Sequence, residues 1–343
     1  MDKTPTTSIV IVALNCAKNI AECLKRINGQ DYPDDHIEIL VIDGGSTDGT
    51  QQVAESLGAT VYDAGYRDNC EPRRAIGLLK AKNEIICYIE SDIFLPTPQW
   101  LREMVSPLVE NSEIAATQSL RYEYRKEDTV LNRYFALLGI HDPIAYYLKK
   151  RDKLSWADRK WTLFGHARDA GPYYAVTFDL SALPPLGCNG FVARRQELLK
   201  LTLPDVSRVP YYTHSDSVYD MVAGGRNTIG FVKNTVIHVP SNDTVWKYLK
   251  RRMFYTKTLH FGGLERKYKV YDPKSLRDDF NLVKYIVYSL TVIKPVFDSL
   301  RGFVRQPDAA WFVHPVMCLM MFFSYSFVTI RQIVTIGPSG GNR

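Results

Sequence analysis

Short apolar runs alternate with stretches of helical spacing over the first part of the chain. Residues 8–14, Ile37–Asp43, 59–62 and 84–90 read as strands, and 20–27, 48–57 and 73–82 as helices. Strand and helix alternating at this spacing predict βαβ units, right-handed crossovers and a mostly parallel sheet. A parallel strand buried on both faces is apolar along its length, so an acid at its C-terminal end stands where the chain leaves the core. Two strands end this way, one at Asp43 and one at Glu90-Ser91-Asp92. In open α/β sheets that rim is where ligands bind. Asp48 is expected to cap the following helix.

Beyond Asp92 the alternation loosens. A helix to about residue 109, a strand over Ile114–Tyr122 and an aromatic helix over 131–150 come next, followed by a polar loop region over 152–173. Short strands are expected at 176–178, 190–192, 229–232 and 235–239, with a helix over 219–223. Residues 309–330 carry no formal charge and are long enough to span a bilayer core, with Trp311 and Arg331 as interfacial anchors. Pro315 is expected to kink that helix or shorten its regular part. A buried core helix is the alternative. Residues 282–300 are also apolar but contain Lys284, Lys294 and Pro295, which suits an interfacial helix.

Composition narrows the class. At 45% hydrophobic and 23% charged residues, the 343-residue chain is globular rather than disordered. The net charge of +6 is modest, and its basic residues bunch at 247–252 and 266–269, which suits phosphate groups or an anionic membrane surface. No zinc finger or RNA-binding signature is present, so nucleic acid is not an expected partner. The six cysteines show no Cys-x-x-Cys spacing and read as reduced thiols. The N-terminus leads into a strand without a signal-peptide core, from which cytosolic synthesis is expected.

The chemistry concentrates at the strand ends. Asp43-Gly44-Gly45-Ser46-Thr47-Asp48-Gly49-Thr50 sets an acid before a flexible turn and a helix; it is neither a dinucleotide fingerprint nor a P-loop. A capped turn with no ligand is the plain alternative. Glu90 and Asp92 are paired carboxylates of the kind that share a divalent cation or stay exposed.

The order of these motifs resembles the inverting nucleotide-sugar glycosyltransferases of family two, which have the GT-A fold. The resemblance rests on Ser8-Ile9-Val10-Ile11-Val12 with Asn15, on the run from Glu38 to Thr50, and on Glu90-Ser91-Asp92. It is strong over residues 7–110 and fair to about 240. It implies an α/β GT-A fold, Rossmann-like, with a mostly parallel central sheet flanked by helices and with amphipathic, membrane-associated helices at the C-terminal end. It also implies a catalytic domain over 1–240 (a nucleotide-binding half, 7–110, and an acceptor-side half, 111–240) and a helical membrane-associated region over 241–343.

By the same resemblance, Asp43 hydrogen-bonds the nucleobase, and Ala13, Asn15, Gly44 and Ser91 line the nucleotide pocket. Asp92 is the main metal ligand, for Mn²⁺ or Mg²⁺. Glu90 stands where the family often has Asp, so ribose or water becomes its expected contact. Arg73, with Arg74, approaches the diphosphate or sugar, or else covers a solvated helix face. Residues 186–195 resemble the acceptor-side glycine segment.

Asp216 is the expected general base, although Ser215 replaces the acid usual before it; Asp220, one turn on, is the second choice. His238 is a metal ligand or a structural strand-end histidine. Arg251 and Arg252 neutralise the leaving diphosphate or meet anionic lipid. Tyr134, Phe135, Tyr146 and Tyr147 form an acceptor wall or pack within the helix layer.

The implied activity is transfer of a sugar from a nucleoside-diphosphate-sugar to an acceptor hydroxyl with inversion. The expected acceptor is a polyprenyl phosphate, a lipid-linked saccharide or another glycan, met at the cytoplasmic face of a membrane to which the C-terminal helices attach. Nucleotidyl transfer and an inactive membrane-bound scaffold are the alternatives that the strand-end acids also allow.

Overall fold

The computed structural model describes residues 4–203, 205–239, 244–257 and 266–336. The chain opens with β1 (Thr7–Ala13), buried throughout, then α1 (Ala17–Asn28), β2 (Ile37–Asp43), α2 (Thr50–Ser56) and β3 (Thr60–Asp63). Next come α3 (Glu71–Lys80), β4 (Ile85–Glu90), β5 (Ile93–Phe94), α4 (Trp100–Glu110) and β6 (Ile114–Tyr122). After α5 (Val130–Leu138) and α6 (Pro143–Tyr147) the strands resume with β7 (His166–Asp169), β8 (Tyr173–Thr177) and β9 (Phe191–Arg194). Helices α7 (Arg195–Thr202) and α8 (His214–Ala223) lead into β10 (Thr228–His238). Four helices follow: α9 (Val245–Tyr255), α10 (Leu276–Thr291), α11 (Ile293–Arg305) and α12 (Val313–Ile336).

The chain divides into two units. The first holds residues up to Glu123 together with Asp152–Leu154 and Trp161–Val239; the second holds Tyr124–Arg151, Ser155–Lys160 and the described residues from Thr244 onward. The expected boundary between residues 240 and 241 lies outside the described residues.

The first unit is a ten-stranded sheet in the order β3-β2-β1-β4-β9-β6-β10-β8-β7, with β5 added on β10. It is the Rossmann-like α/β architecture of GT-A, parallel across β3, β2, β1 and β4 and again between β6 and β10. Register puts Ala13 beside Asp43 and Val12 beside Glu90, so both acidic strand ends flank the end of β1. α3 covers β1 closely because Gly77 has no side chain: a Cβ there would lie 2.2 Å from Val10 Cγ1.

Several local expectations are corrected. Asp48 does not cap α2; Gly49 stands there in the left-handed region at φ 86°, and the Asp48 carboxylate instead accepts from Thr50 and from the Ala17 N–H. The two strands expected over 229–239 are one bent strand, β10, whose register shifts between Val232 and Thr235 as at a bulge. The polar loop region over 152–173 contains β7, whose four residues are all exposed and carry no apolar alternation.

The second unit is helical. The helix expected over 131–150 is split: Gly139 at φ 79° ends α5, and Asp142 with Pro143 starts α6. Tyr134 and Phe135 are buried in a core with Tyr248, Leu249, Trp311, Met317 and Met321. Tyr134 and Tyr147 hydrogen-bond the two ring nitrogens of His314 at 2.9 and 3.1 Å, and Tyr147 also donates to Asp298. Tyr134 and Phe135 are thus packed inside, whereas Tyr146 and Tyr147 are half-buried. Lys150 and Asp278 form a buried ion pair at 2.5 Å.

The apolar C-terminal stretch is a helix. Residues Ala309–Val334 are long and apolar enough to cross a membrane. The regular α-helical part starts at Val313, after a 3₁₀ turn over Ala309–Phe312, so Pro315 stands in the first turn, where its missing N–H costs no hydrogen bond within the helix. The expected interfacial stretch over 282–300 is a pair, α10 and α11, bent by 86° at Val292. Phe280, Val283, Val287, Phe297 and Val304 on this pair are exposed.

Candidate active site

Two loops at the C-terminal ends of β1 and β2 are laced together by side chains. Asp43 is fully buried, and its Oδ2 accepts from the Gly45 and Ser46 N–H groups and from Gln51 Nε2 at 2.7–2.8 Å. Its Oδ1 accepts from Ser46 Oγ at 2.6 Å. Burial acts to raise the Asp43 pKa, but the hydrogen bonds from Ser46, Gln51 and Gly45 outweigh it and hold the carboxyl below the usual carboxylate range. Across the gap, Asn15 stands at φ 46°, accepts from the Thr47 N–H at 2.9 Å and donates its own N–H to Ser46 Oγ at 2.8 Å. Arg67, which the sequence reading missed, reaches the Gly45 carbonyl at 2.6 Å.

Beneath these loops lie both arginines of α3. Arg73 is buried and donates to the Ala13 carbonyl, and a Cβ on Gly44 would lie 2.7 Å from Arg73 Nη1. Arg74 is buried too, held by Glu90 on one side and by Glu71 at 3.1 Å on the other. The solvated-face alternative for these residues is therefore overturned. Glu71 in turn grips the start of α8, accepting from the His214 N–H at 2.8 Å and facing His214 Nδ1 at 2.7 Å. Glu71 and His214 were also missed; they are 143 positions apart, and no local pattern links them.

On the other side of Glu90, β5 pairs with the end of β10, and this brings Asp92 to His238. Their Oδ2 and Nε2 are 3.5 Å apart, and the Val239 N–H donates to the Asp92 carbonyl at 2.9 Å. The His238 ring lies 5.7 Å from that of Tyr122, whose hydroxyl donates to buried Asp152 at 2.9 Å. Lys153, fully buried, is 3.4 Å from the same Asp152 carboxylate and lies over the Tyr122 ring. Among the described residues no group of three His, Cys, Asp or Glu gathers as a closed metal cage. A carboxylate and an imidazole this close suit a first-row divalent ion such as Mn²⁺ better than Mg²⁺, with its other ligands taken from a phosphate-bearing substrate.

Residues 8–168 match the model described as Glycosyl transferase family 2. This chain carries a family 2 glycosyltransferase domain. Ala13, Asn15, Asp43, Gly44, Arg73, Glu90, Ser91 and Asp92 lie within the matched glycosyltransferase stretch, whereas Asp216, His238, Arg251 and Arg252 lie beyond it. The chain is similar to glycosyltransferase AglE of Haloferax volcanii, 29% identical over 136 residues, which are 38% of this chain and 44% of AglE. It is also similar to the dolichyl N-acetyl-α-D-glucosaminyl phosphate 3-β-D-2,3-diacetamido-2,3-dideoxy-β-D-glucuronosyltransferase of Methanococcus voltae. That likeness is 46% identity over 50 residues, covering 15% of this chain and 16% of the relative. The chain thus spans less than half the length of the curated relatives it matches. In three dimensions it is similar to mannosyltransferase PcManGT of Pyrobaculum calidifontis, solved with GDP-Man and Mn²⁺. The TM-score is 0.52 at 15% identity, covering 94% of this chain and 87% of the other, a likeness of fold.

The remaining candidates stand in two places. Asp216 and Asp220 are both half-buried on α8, Asp216 in its first turn behind the Thr213 cap. Arg251 and Arg252 belong to the second unit. There Arg252 pairs with Asp142 and Tyr325, and Arg251 donates to the Tyr255 hydroxyl at 3.1 Å.

Proposed function

We propose that this protein transfers a sugar from a nucleoside-diphosphate-sugar to an acceptor hydroxyl with inversion at the sugar carbon. The observation that carries the reading is the Asp92–His238 pair, 3.5 Å apart, with Asp92 inside the family 2 match and His238 beyond it. Asp92 and His238 would hold Mn²⁺ or Mg²⁺ there, and the ion when bound supplies positive charge to the departing diphosphate. The laced loops of Asn15, Asp43, Gly44 and Ser46 frame the nucleotide, with Ser91 beside them. Gln51 offers Asp43 an amide N–H of the kind a base presents, so the base N–H exchanges with Gln51 at Oδ2. Buried Arg73 supports this floor from below, and Glu90, fixed by Arg74, faces the ribose or its water.

Asp216 accepts the proton of the acceptor hydroxyl on its carboxylate as that oxygen attacks, which single displacement with inversion requires. Arg251 and Arg252, both on the second unit, add positive charge for lipid phosphate. The acceptor we infer is a polyprenyl phosphate or a lipid-linked saccharide. Two observations support it: the membrane-length apolar stretch Ala309–Val334, and a relative whose name specifies a dolichyl-linked phosphate. Attachment through the C-terminal helices to the cytoplasmic face of a membrane completes the proposal.

The test is product analysis with UDP-glucose and GDP-mannose in Mn²⁺. Release of the nucleoside diphosphate, lost in Asp92→Ala, supports sugar transfer. Pyrophosphate release would mean nucleotidyl transfer, and no release by either protein would mean a scaffold. For the membrane reading, full-length protein found in the soluble fraction without detergent refutes attachment.

A further inference from the structure

We propose that Glu71 and Arg74 are positioning residues: with Glu90 and His214 they form a partly buried chain of alternating charge that ties the end of β4 to the first turn of α8. One end of this chain is the donor-side acid Glu90, and the other is His214, two residues before Asp216. The inference rests on the reading of Asp216 as general base.

The links are continuous. Arg74 spans two carboxylates, Glu90 through Nη2 and Glu71 through Nη1 at 3.1 Å, which uses the planar fork that lysine lacks. Glu71 spans two groups of one residue, the backbone N–H of His214 at 2.8 Å and its Nδ1 at 2.7 Å. All four side chains are largely withdrawn from water, Arg74 the most at 4% exposure.

The placement of His214 is informative. It is the first residue of α8, where the helix dipole disfavours a cation and favours an anion. A charged imidazole is tolerated there only because the Glu71 carboxylate sits against it. Besides Glu71 from α3, the Cys188 thiol from the loop before β9 faces the ring, and Arg74 stands behind Glu71. Burial acts to lower the His214 pKa, but Cys188 and Glu71 outweigh it and push it up to about 10. The clasp therefore stays closed through the neutral range. The same loop is held at its other side by Gly187, at φ 113°, where a Cβ would lie 2.6 Å from the His214 carbonyl oxygen. The first turn of α8 is thus fixed from two directions, and only one of them can be released without touching the backbone.

A base displaced by about 1 Å loses on the order of a hundredfold in rate with little effect on substrate affinity. The experiment uses full-length protein. Histidine side-chain resonances are titrated by NMR from pH 5 to 10, with His214→Gln identifying the signal. Nucleoside diphosphate release from UDP-glucose and GDP-mannose with Mn²⁺ is measured in parallel for the parent, Glu71→Gln and Glu71→Asp. We expect His214 in the parent to stay protonated beyond pH 8, and in Glu71→Gln to titrate nearer the ordinary histidine value of about 6.5. We expect Glu71→Gln to lose about a hundredfold in kcat with KM for the donor within about threefold, and to gain an alkaline limb between about pH 6 and 8. Glu71→Asp should recover part of kcat.

A parent His214 that titrates near neutrality overturns the proposal, and that measurement needs no variant to fold. A Glu71→Gln protein with the parent's kcat and pH profile overturns it equally. If the parent turns over neither donor, the sugar-transfer reading loses its support separately, and the histidine titration alone judges the clasp.

Discussion

Replacing Asp43 with alanine tests the claim that this carboxylate builds the loop it sits in. Four donors converge on it: the Gly45 and Ser46 N–H groups, Gln51 Nε2 and Ser46 Oγ. In Asp43→Ala the two side chains can turn to water, but the two backbone N–H groups are fixed by the turn. Each unsatisfied donor costs about 1–3 kcal/mol, so a loss of about 3 kcal/mol is expected once partial hydration is allowed for. Asp43→Asn keeps one oxygen where Oδ2 stood, and Ser46 Oγ can rotate to accept from the new amide, so about 1 kcal/mol is expected there.

The assay is thermal unfolding monitored in the first unit, where 3 kcal/mol corresponds to a Tm lowered by roughly 6–12 °C. The sign of the pH dependence follows from the lowered pKa. A carboxyl more acidic folded than unfolded contributes stability above its unfolded value of about 3.9 and loses it as pH falls through the folded value. The gap between parent and Asp43→Ala should therefore be full at pH 7 and shrink below about pH 4. An alanine variant as stable as the parent at pH 7, or a gap that widens on acidification, refutes the reasoning.

Three other outcomes are expected. Mn²⁺ binding, read by the loss of the free-ion EPR signal in the presence of UDP, should fall at least tenfold in Asp92→Ala and less in His238→Ala, since one carboxylate and the phosphates suffice for a weak site. Asp278→Asn should destabilise the second unit by about 3–5 kcal/mol in chemical denaturation, because it leaves buried Lys150 without its counter-charge, while Asp278→Leu with Lys150→Met should recover most of that loss. Gly77→Ala should destabilise by about 1–3 kcal/mol in thermal unfolding despite alanine's better helix propensity, since the new methyl meets Val10; a stabilised variant would show that α3 can shift away from β1.

What the residues dictate locally was legible from the chain alone. β2 runs over the very residues expected, and β1 and β4 lie within a residue of expectation, because a strand buried on both faces is apolar along most of its length; β6 also matches, although it buries Thr117, Gln118 and Ser119 in its middle. The acids at their ends follow from the same rule, and so does the uncharged stretch that becomes α12. Composition could not say where α5 ends, since the break is made by a glycine in the left-handed region and a new cap within an evenly greasy run. Nor could it say which aromatics of that run enter a core; distant helices bury Tyr134 and Phe135 and leave Tyr146 and Tyr147 half-buried. Asp92 and His238 meet only because a two-residue strand, β5, pairs with the far end of β10, and so short a segment has no period to detect. Glu71, Arg74, Glu90 and His214 are ordinary polar residues in sequence. They become one partly buried chain of charges only when α3 lies between β4 and α8, since charge pairing depends on distance in space, which helical and strand periodicities do not encode.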